Sequence, residues 1–301
     1  MDTAHDPIQW LKGLLDELPI GNINLPGTHN SAAIDPGRRT PHACQNFSIG
    51  EQLRAGIRLL DVRLKVHWRP GEAAGGESRT HGLIDFHTCH GRIGSNAFQT
   101  FSSLLNECRA FLADHPSEFV VLLLTVDDWS NARRYTGKAL AALAALLGRY
   151  PTLSGAALPI LGAVRGKIFL YNRLNDDPIL GVPVRWANDT AGSAAEYHGE
   201  RSYEVWVQDR YNDFSLRPRR AKLRWIIAAL TKKTPENVVL NFASGTWFGV
   251  FGVYVIDELS QFLRVRRPGQ FGWILFDYPF GLPGRSRSQP DVVATIIRSN
   301  F

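Results

Sequence analysis

Ile23-Asn24-Leu25-Pro26-Gly27-Thr28-His29-Asn30-Ser31 is an apolar stretch that stops at a Pro-Gly break and then delivers a polar cluster headed by an imidazole. A buried strand that ends in a titratable side chain and a loop is the arrangement from which α/β barrels build their sites. Seven further apolar runs end the same way: Leu59 to Arg63, Leu83 to His87 leading on to His90, Val120 to Thr125, Lys167 to Arg173, Val205 to Asp209, Val238 to Asn241 and Trp273 to Asp277. Each has strand length, is mostly β-branched or aromatic, and reads as buried on both faces, the pattern of parallel sheets. Eight strands with polar residues at the same end predict a closed α/β barrel.

Helical spacing fills several of the intervals. Ser48-Ile49 leads into Gln52, Leu53 and Ile57, and Phe98, Phe101, Leu104, Leu105, Cys108, Phe111 and Leu112 recur before His115-Pro116. Further helices are expected over Ala139 to Leu147, Lys222 to Leu230 and Val253 to Leu263. Pro70 to Ser78 and Asp177 to His198 lack apolar periodicity and read as loops. The β/α alternation, with no internal repeat or low-complexity linker, predicts a single domain over residues 1–301. Ile8, Leu11, Leu15 and Leu18 form a stripe at helical spacing, so residues 1–20 are expected to hold an N-terminal helix that closes the barrel floor.

With 301 residues, 44% of them hydrophobic and 21% charged, the chain is long enough for a full core. No run approaches the roughly 20 apolar residues of a membrane span, and Met1 to His5 lacks the basic and apolar regions of a secretory signal. The expectation is a cytoplasmic protein or one secreted after processing. The net charge of +6 implies an anionic partner, whether nucleic acid, an acidic membrane surface or a phosphorylated substrate. Its basic clusters, around Arg217 to Lys222, Lys232-Lys233 and Arg264 to Arg267, carry no nucleic-acid motif and also fit a solvated face. Cys44, Cys89 and Cys108 cannot all pair within one chain and are expected as reduced, buried thiols, with a disulfide between Cys44 and Cys89 as the alternative, since both lie in loops near the strand-end residues. No Cys-x-x-Cys pair exists, and His87, Cys89 and His90 lie too close in sequence for a tetrahedral zinc site.

The series NLPGTHNS, QLRAGIRLLDVRL, CHG, HPSEFVVLLLTV, RGKIFLYNR, VQDRY, NFASGTW and GWILFDYP runs in order from about Ile23 to Asp277. It resembles the phosphatidylinositol-specific phospholipase C X-domain family in its bacterial and fungal single-domain form. The resemblance implies a distorted TIM-type (β/α)8 barrel. It also implies a lyase that cleaves phosphatidylinositol without a protein nucleophile: the inositol 2-hydroxyl attacks phosphorus, diacylglycerol leaves and inositol 1,2-cyclic phosphate forms. Such chemistry needs a base, an acid and positive charge on the phosphate oxygens.

On this resemblance His29 matches the general base and Asp277 the carboxylate that orients it, through adjacency of first and last strands. Alone, His29 also reads as a packed core residue and Asp277 as a turn residue before Tyr278-Pro279. His90 matches the general acid, although His81-Gly82 is a second His-Gly pair; His81 and His87 are read as surface or supporting residues. Asp61 and Arg63 share a strand face, so Arg63 binds phosphate and Asp61 holds it, whereas Arg58 has the wrong parity and reads as structural. Arg173, Asp209 and Tyr211 match inositol contacts. Trp247 and Phe248, on a Gly-flanked rim loop, match a segment that enters the lipid interface, or else simply cap the barrel.

Two departures stand out. Asn30 replaces an aspartate of the bacterial form and is typical of the calcium-dependent branch, and Thr125 stands where the bacterial form has lysine; Asp127, on the same face, is a partial substitute. Asn30 and Thr125 are read as substrate-binding. No metal and no cofactor are expected, because Arg63 places a cation in the ion's seat; calcium at Asn30 and Asp61 is the alternative. The expected partners are a phospholipid headgroup and an anionic membrane surface, touched peripherally by a monomer that binds no nucleic acid. Two other readings stay open: a phosphodiesterase acting on another phosphodiester or a non-inositol lipid, and a phosphoinositide-binding module without turnover.

Overall fold

The computed structural model describes residues 6–34, 43–69, 83–91, 97–129, 133, 135–155, 157–174, 180–196, 203–212, 218–245, 251–265, 270–281 and 291–301. Its strands are β1 (Leu25–Thr28), β2 (Leu59–Arg69), β3 (Leu83–Thr88), β4 (Val120–Asp128), β5 (Thr152–Leu153), β6 (Ile168–Asn172), β7 (Val182–Pro183), β8 (Ser193–Ala194), β9 (Glu204–Gln208), β10 (Asn237–Phe242) and β11 (Trp273–Phe276). The helices are α1 (Ile49–Arg54), α2 (Phe101–Asp114), α3 (Thr136–Leu147), α4 (Leu161–Val164), α5 (Pro218–Leu230), α6 (Phe251–Val265) and α7 (Val292–Arg298). The barrel staves run β6-β4-β2-β1-β11-β10-β9 in parallel, with β7 parallel on the far side of β6. Between β7 and β9 there is no continuous ladder among the described residues. The antiparallel β8 lies on β9, and one bridge, Arg185 to Glu196, joins the segments that follow β7 and β8. This gap is the distortion of the barrel.

Seven of the eight expected strands are parallel staves, and the eighth is a correction. Leu83 to Thr88 is antiparallel to β2, pairing Leu64 with Thr88 and Arg69 with Leu83, and lies outside the ring. The physical reason is the length of β2, which overshoots the barrel mouth as far as Arg69, so that the returning chain has an edge to pair with. The segment expected as loop from Asp177 to His198 contains β7 and β8, each two residues long and therefore too short to show a period.

Local chemistry explains several boundaries. Ser48 and Glu51 form a reciprocal capping box at the start of α1, and Thr100 caps α2, whose buried face is Phe101, Leu104, Leu105, Cys108, Phe111 and Leu112. At Gly27 a Cβ would meet Leu59 Cβ at 2.9 Å, so the absent side chain lets β1 approach β2.

The N-terminal stripe does not form an α-helix. It makes 3-10 turns at Trp10–Gly13 and Ile20–Asn22, and Leu15 is 75% exposed. The segment nevertheless sits at the barrel floor: Trp10 Nε1 donates to Gly56 O, just ahead of β2, and Leu11 N donates to Glu118, just ahead of β4. Among the described residues, no helix is long and apolar enough to cross a membrane.

Candidate active site

Register brings the first two residues together. Thr28 of β1 pairs with Phe276 of β11, and His29 N continues the ladder to Phe276 O at 2.9 Å. The next side chains out of the sheet are therefore neighbours, and His29 Nδ1 lies 2.8 Å from Asp277 Oδ1. On the other side Thr28 pairs with Leu60, which places Asp61 beside the turn after β1. There Asn30 adopts φ 41°, a left-handed conformation that asparagine tolerates, and its backbone N–H donates to Asp61 Oδ2 at 2.9 Å.

Arg63 completes this wall. Its Nη2 is 2.8 Å from His29 Nε2, and its Nε and Nη2 are each 3.4 Å from Asp61 Oδ2. A guanidinium has only donors, so Nε2 must be the acceptor, and the ring proton sits on Nδ1 facing Asp277. The neighbouring charges thus select the tautomer whose basic nitrogen faces the cation. Burial acts to raise the pKa of Asp61, but Arg63, His29 and the Asn30 N–H together hold it below the usual carboxylate value. Burial likewise acts to lower that of Arg63, and Asp61, Asp127 and Asp209 carry it upward. Asp127, two residues beyond Thr125 on β4, reaches Arg63 Nη1 at 3.6 Å, and Thr125 itself is the register partner of Arg63. The side-chain amide of Asn30 is buried and has no hydrogen-bond partner among the described residues.

His90 arrives by the hairpin rather than by a barrel stave. Because Thr88 pairs with Leu64 and Cys89 N donates to Arg63 O, the chain returns at the level of Arg63, and the His90 ring centroid lies 6.0 Å from that of His29. Between His90 and Asp277 sits Cys44, whose Sγ is 3.6 Å from His90 Nδ1. All three cysteines are free and buried, as expected. His29, Cys44 and Asp277 offer ligand atoms within 4.8 Å of one another.

The opposite wall holds the remaining residues. Arg173 follows β6 and stacks on Trp186, 3.7 Å from guanidinium carbon to ring centroid, while Trp186 Nε1 donates to Asp209 Oδ2 at 2.9 Å. Arg173 and Asp209 are thus joined through an indole. Burial lowers the pKa of Arg173, against the pull of Asp209 and Asp61. Tyr211 is held by its backbone N–H, which donates to Asp189 Oδ1 at 2.8 Å, and its phenol is pushed up by burial and by Asp209 and Asp189.

His29, Asp61, Arg63, His90 and Asp277 converge at one end of the staves, with Asn30 and Thr125 beside them and Arg173, Asp209 and Tyr211 on the facing rim. His81, Trp247 and Phe248 lie outside the described residues. Trp186 and Asp189 carry no signal in the sequence because their segment shows no period. Cys44 reads in the sequence only as a thiol near the strand ends; the Tyr278-Pro279 turn is the available signal for its place, since Tyr278 N donates to Cys44 O.

Residues 19–150 match the family model PI-PLC X, described as PI-PLC X 1. The chain is 23% identical over 319 residues to the 1-phosphatidylinositol phosphodiesterase of Staphylococcus aureus strain Newman, covering 99% of this chain and 95% of that protein. The enzyme of the same name from Listeria monocytogenes is 24% identical, over 90% of this chain and 81% of that one. A solved structure of the S. aureus phosphatidylinositol-specific phospholipase C, concerned with modulation of its membrane binding, superposes with a TM-score of 0.76 at 21% identity, covering 99% of each chain. The fold is that of the phosphatidylinositol-specific phospholipase C barrels. The PI-PLC X match thus spans residues 19–150, and the likeness to the bacterial phosphodiesterases extends over the rest of the chain.

Proposed function

We propose that the chain is a phosphatidylinositol phosphodiesterase of the phospholipase C type, releasing diacylglycerol and inositol 1,2-cyclic phosphate. The observation that carries this reading is the doubly held imidazole: Nδ1 is 2.8 Å from Asp277 and Nε2 is 2.8 Å from the Arg63 guanidinium. A phosphate drawn to Arg63 lies beside Nε2, so the 2-hydroxyl of its inositol ester meets a base already in the correct tautomer. In the proposed step the hydroxyl proton passes to His29 Nε2 as the new P–O bond forms. The P–O bond to glycerol breaks, and His90 protonates the departing alkoxide. Asp61 orients Arg63, whose charge offsets that growing on the phosphate oxygens. Arg173, Asp209 and Tyr211 receive the inositol hydroxyls, and Asn30 and Thr125 face the phosphate side. The two bacterial relatives, each named for phosphatidylinositol phosphodiesterase activity and matched over most of their length, support this assignment.

Calcium fits this wall poorly. Asp61 offers a carboxylate and Asn30 an amide oxygen, but calcium needs 6–8 oxygens at about 2.3–2.6 Å, and here a guanidinium lies 3.4 Å from the Asp61 oxygen. The proposed reaction therefore runs without a metal. Trp247 and Phe248 are proposed to touch an anionic lipid surface.

Phosphorus NMR of the products from a panel of phospholipids tests the reading. A cyclic inositol phosphate from phosphatidylinositol is expected; turnover only of another headgroup, or of none, would overturn it.

A further inference from the structure

Cys44 is not explained by the acid-base reading above. It is buried, and yet its backbone is bolted on both sides of the site. Its N–H donates to Ala33 O, its carbonyl accepts from Tyr278 N, and Tyr278 Oη donates to Ala43 O at 2.6 Å. The adjacent Gln45 side chain clamps His29 O and Phe276 O at 2.8 Å and 2.9 Å. A side chain on so rigid a clip has little freedom, so where its sulfur points is a property of the fold.

That sulfur lies 3.6 Å from His90 Nδ1 and within 4.8 Å of the Asp277 carboxylate, which already accepts from His29 Nδ1. Burial first, and then Asp277 and Asp61, push the thiol well above its ordinary range, so it remains a protonated donor rather than a nucleophile. A protonated thiol this close to the anionic Asp277 carboxylate directs its S–H there, which turns the sulfur lone pairs to His90 Nδ1, and these can accept only if that nitrogen carries a proton.

Resting on the phosphodiesterase reading, we propose that Cys44 is a positioning residue that ties the acid His90 to the carboxylate orienting the base His29. The chain His29–Asp277–Cys44–His90 makes one buried carboxylate hold both proton-transfer groups. The sulfur keeps Nδ1 of His90 protonated and leaves Nε2 to donate to the leaving oxygen. A thiol suits the place because it gives one weak bond and takes another without adding a charge.

The test uses leaving-group dependence. Protonation matters for an alkoxide such as diacylglycerol and hardly at all for a 4-nitrophenolate. Cys44→Ala is expected to lower kcat on phosphatidylinositol by about tenfold, less than the roughly 10²–10⁴-fold for losing an acid outright because His90 itself remains, with KM little changed. The alkaline limb of its pH profile should move to lower pH, because the imidazolium loses an acceptor. On inositol 1-(4-nitrophenyl phosphate) the same variant should lose far less than on the lipid, and Cys44→Ser should restore most of the lost kcat on lipid. Nitrogen-15 NMR of the wild type should show His90 Nδ1 protonated at neutral pH, a measurement that survives if Cys44→Ala folds badly. Equal losses on both substrates, an unmoved alkaline limb, or an unprotonated Nδ1 would overturn the role of Cys44. His90→Ala separates the two ideas: if it too is indifferent to the leaving group, the acid assignment itself fails, whereas leaving-group sensitivity in His90→Ala without it in Cys44→Ala removes Cys44 alone.

Discussion

Two arginines, one just ahead of β2 and one within it, are used in opposite ways. Arg58, just ahead of β2, is fully buried at the barrel floor, and every N–H it owns has a partner: Glu118 takes Nε and one Nη2 proton at 2.9 Å and 2.7 Å, Leu53 O and Ile57 O take those of Nη1, and Ile8 O takes the other from Nη2. Its plane also packs over Phe111 at 4.7 Å and near Trp10 at 5.9 Å. Arg63, five residues on at the mouth, meets its carboxylates at 3.4 Å and 3.6 Å and spends its short contact on His29. Full satisfaction makes an arginine a structural plug, because nothing is gained by letting go. Loose carboxylate contacts leave a guanidinium able to exchange partners, which an incoming phosphate with its planar pair of oxygens exploits.

The largest effect should come from breaking the mouth. Arg63→Lys keeps the charge but loses the fork, and kcat on phosphatidylinositol is expected to fall by about 10²–10³-fold with Tm nearly unchanged. His29→Ala and His90→Ala should each cost at least about 10²-fold on the lipid; near-normal turnover from either variant would remove that residue from the reaction.

The floor should behave in reverse. Arg58→Ala strands a buried Glu118 carboxylate and is expected to cost about 3–5 kcal/mol of stability, read by denaturant unfolding, while the folded fraction retains its turnover. Replacing the pair together, Arg58→Met with Glu118→Leu, should recover most of that loss, because two matched apolar groups need no partner. If the double variant is as unstable as the single, the plug acts through its carbonyl contacts to Leu53, Ile57 and Ile8 and not through the ion pair.

Smaller effects sharpen the picture at the rim. Trp247→Ala should weaken binding to anionic vesicles and lower activity on aggregated lipid, leaving a short-chain monomeric substrate nearly unaffected. Equal losses on both would mean that Trp247 shapes the barrel itself. The smallest expected effect is none: EDTA should leave turnover unchanged, and recovery of lost activity on adding calcium would place an ion between Asn30 and Asp61.

The strand ends are legible because each carries its own signal. An apolar run closing on a polar residue is a local pattern, and the i, i+2 parity of Asp61 and Arg63, against the odd offset of Arg58, is enough to separate the two arginines. The pairing of His29 with Asp277 follows from closure, and the register of β1 on β11 bears it out. Length and parity are properties of neighbouring residues, and so the sequence by itself determined which strand-end residues stand at the barrel mouth.

Only the tertiary structure decided how they meet. Nothing local says that β2 overshoots to Arg69 and turns Leu83 to Thr88 into a returning antiparallel strand, although that return is what delivers His90. Nor does any local pattern place Cys44 between His90 and Asp277 or Trp186 between Arg173 and Asp209, since these contacts join segments far apart in sequence. The N-terminal stripe fails for a related reason: helical spacing records which residues are apolar, but docking on Gly56 and Glu118 at the floor selects 3-10 turns there. Periodicity is written along the chain, whereas register and partner choice arise only when distant segments compete for the same buried surface.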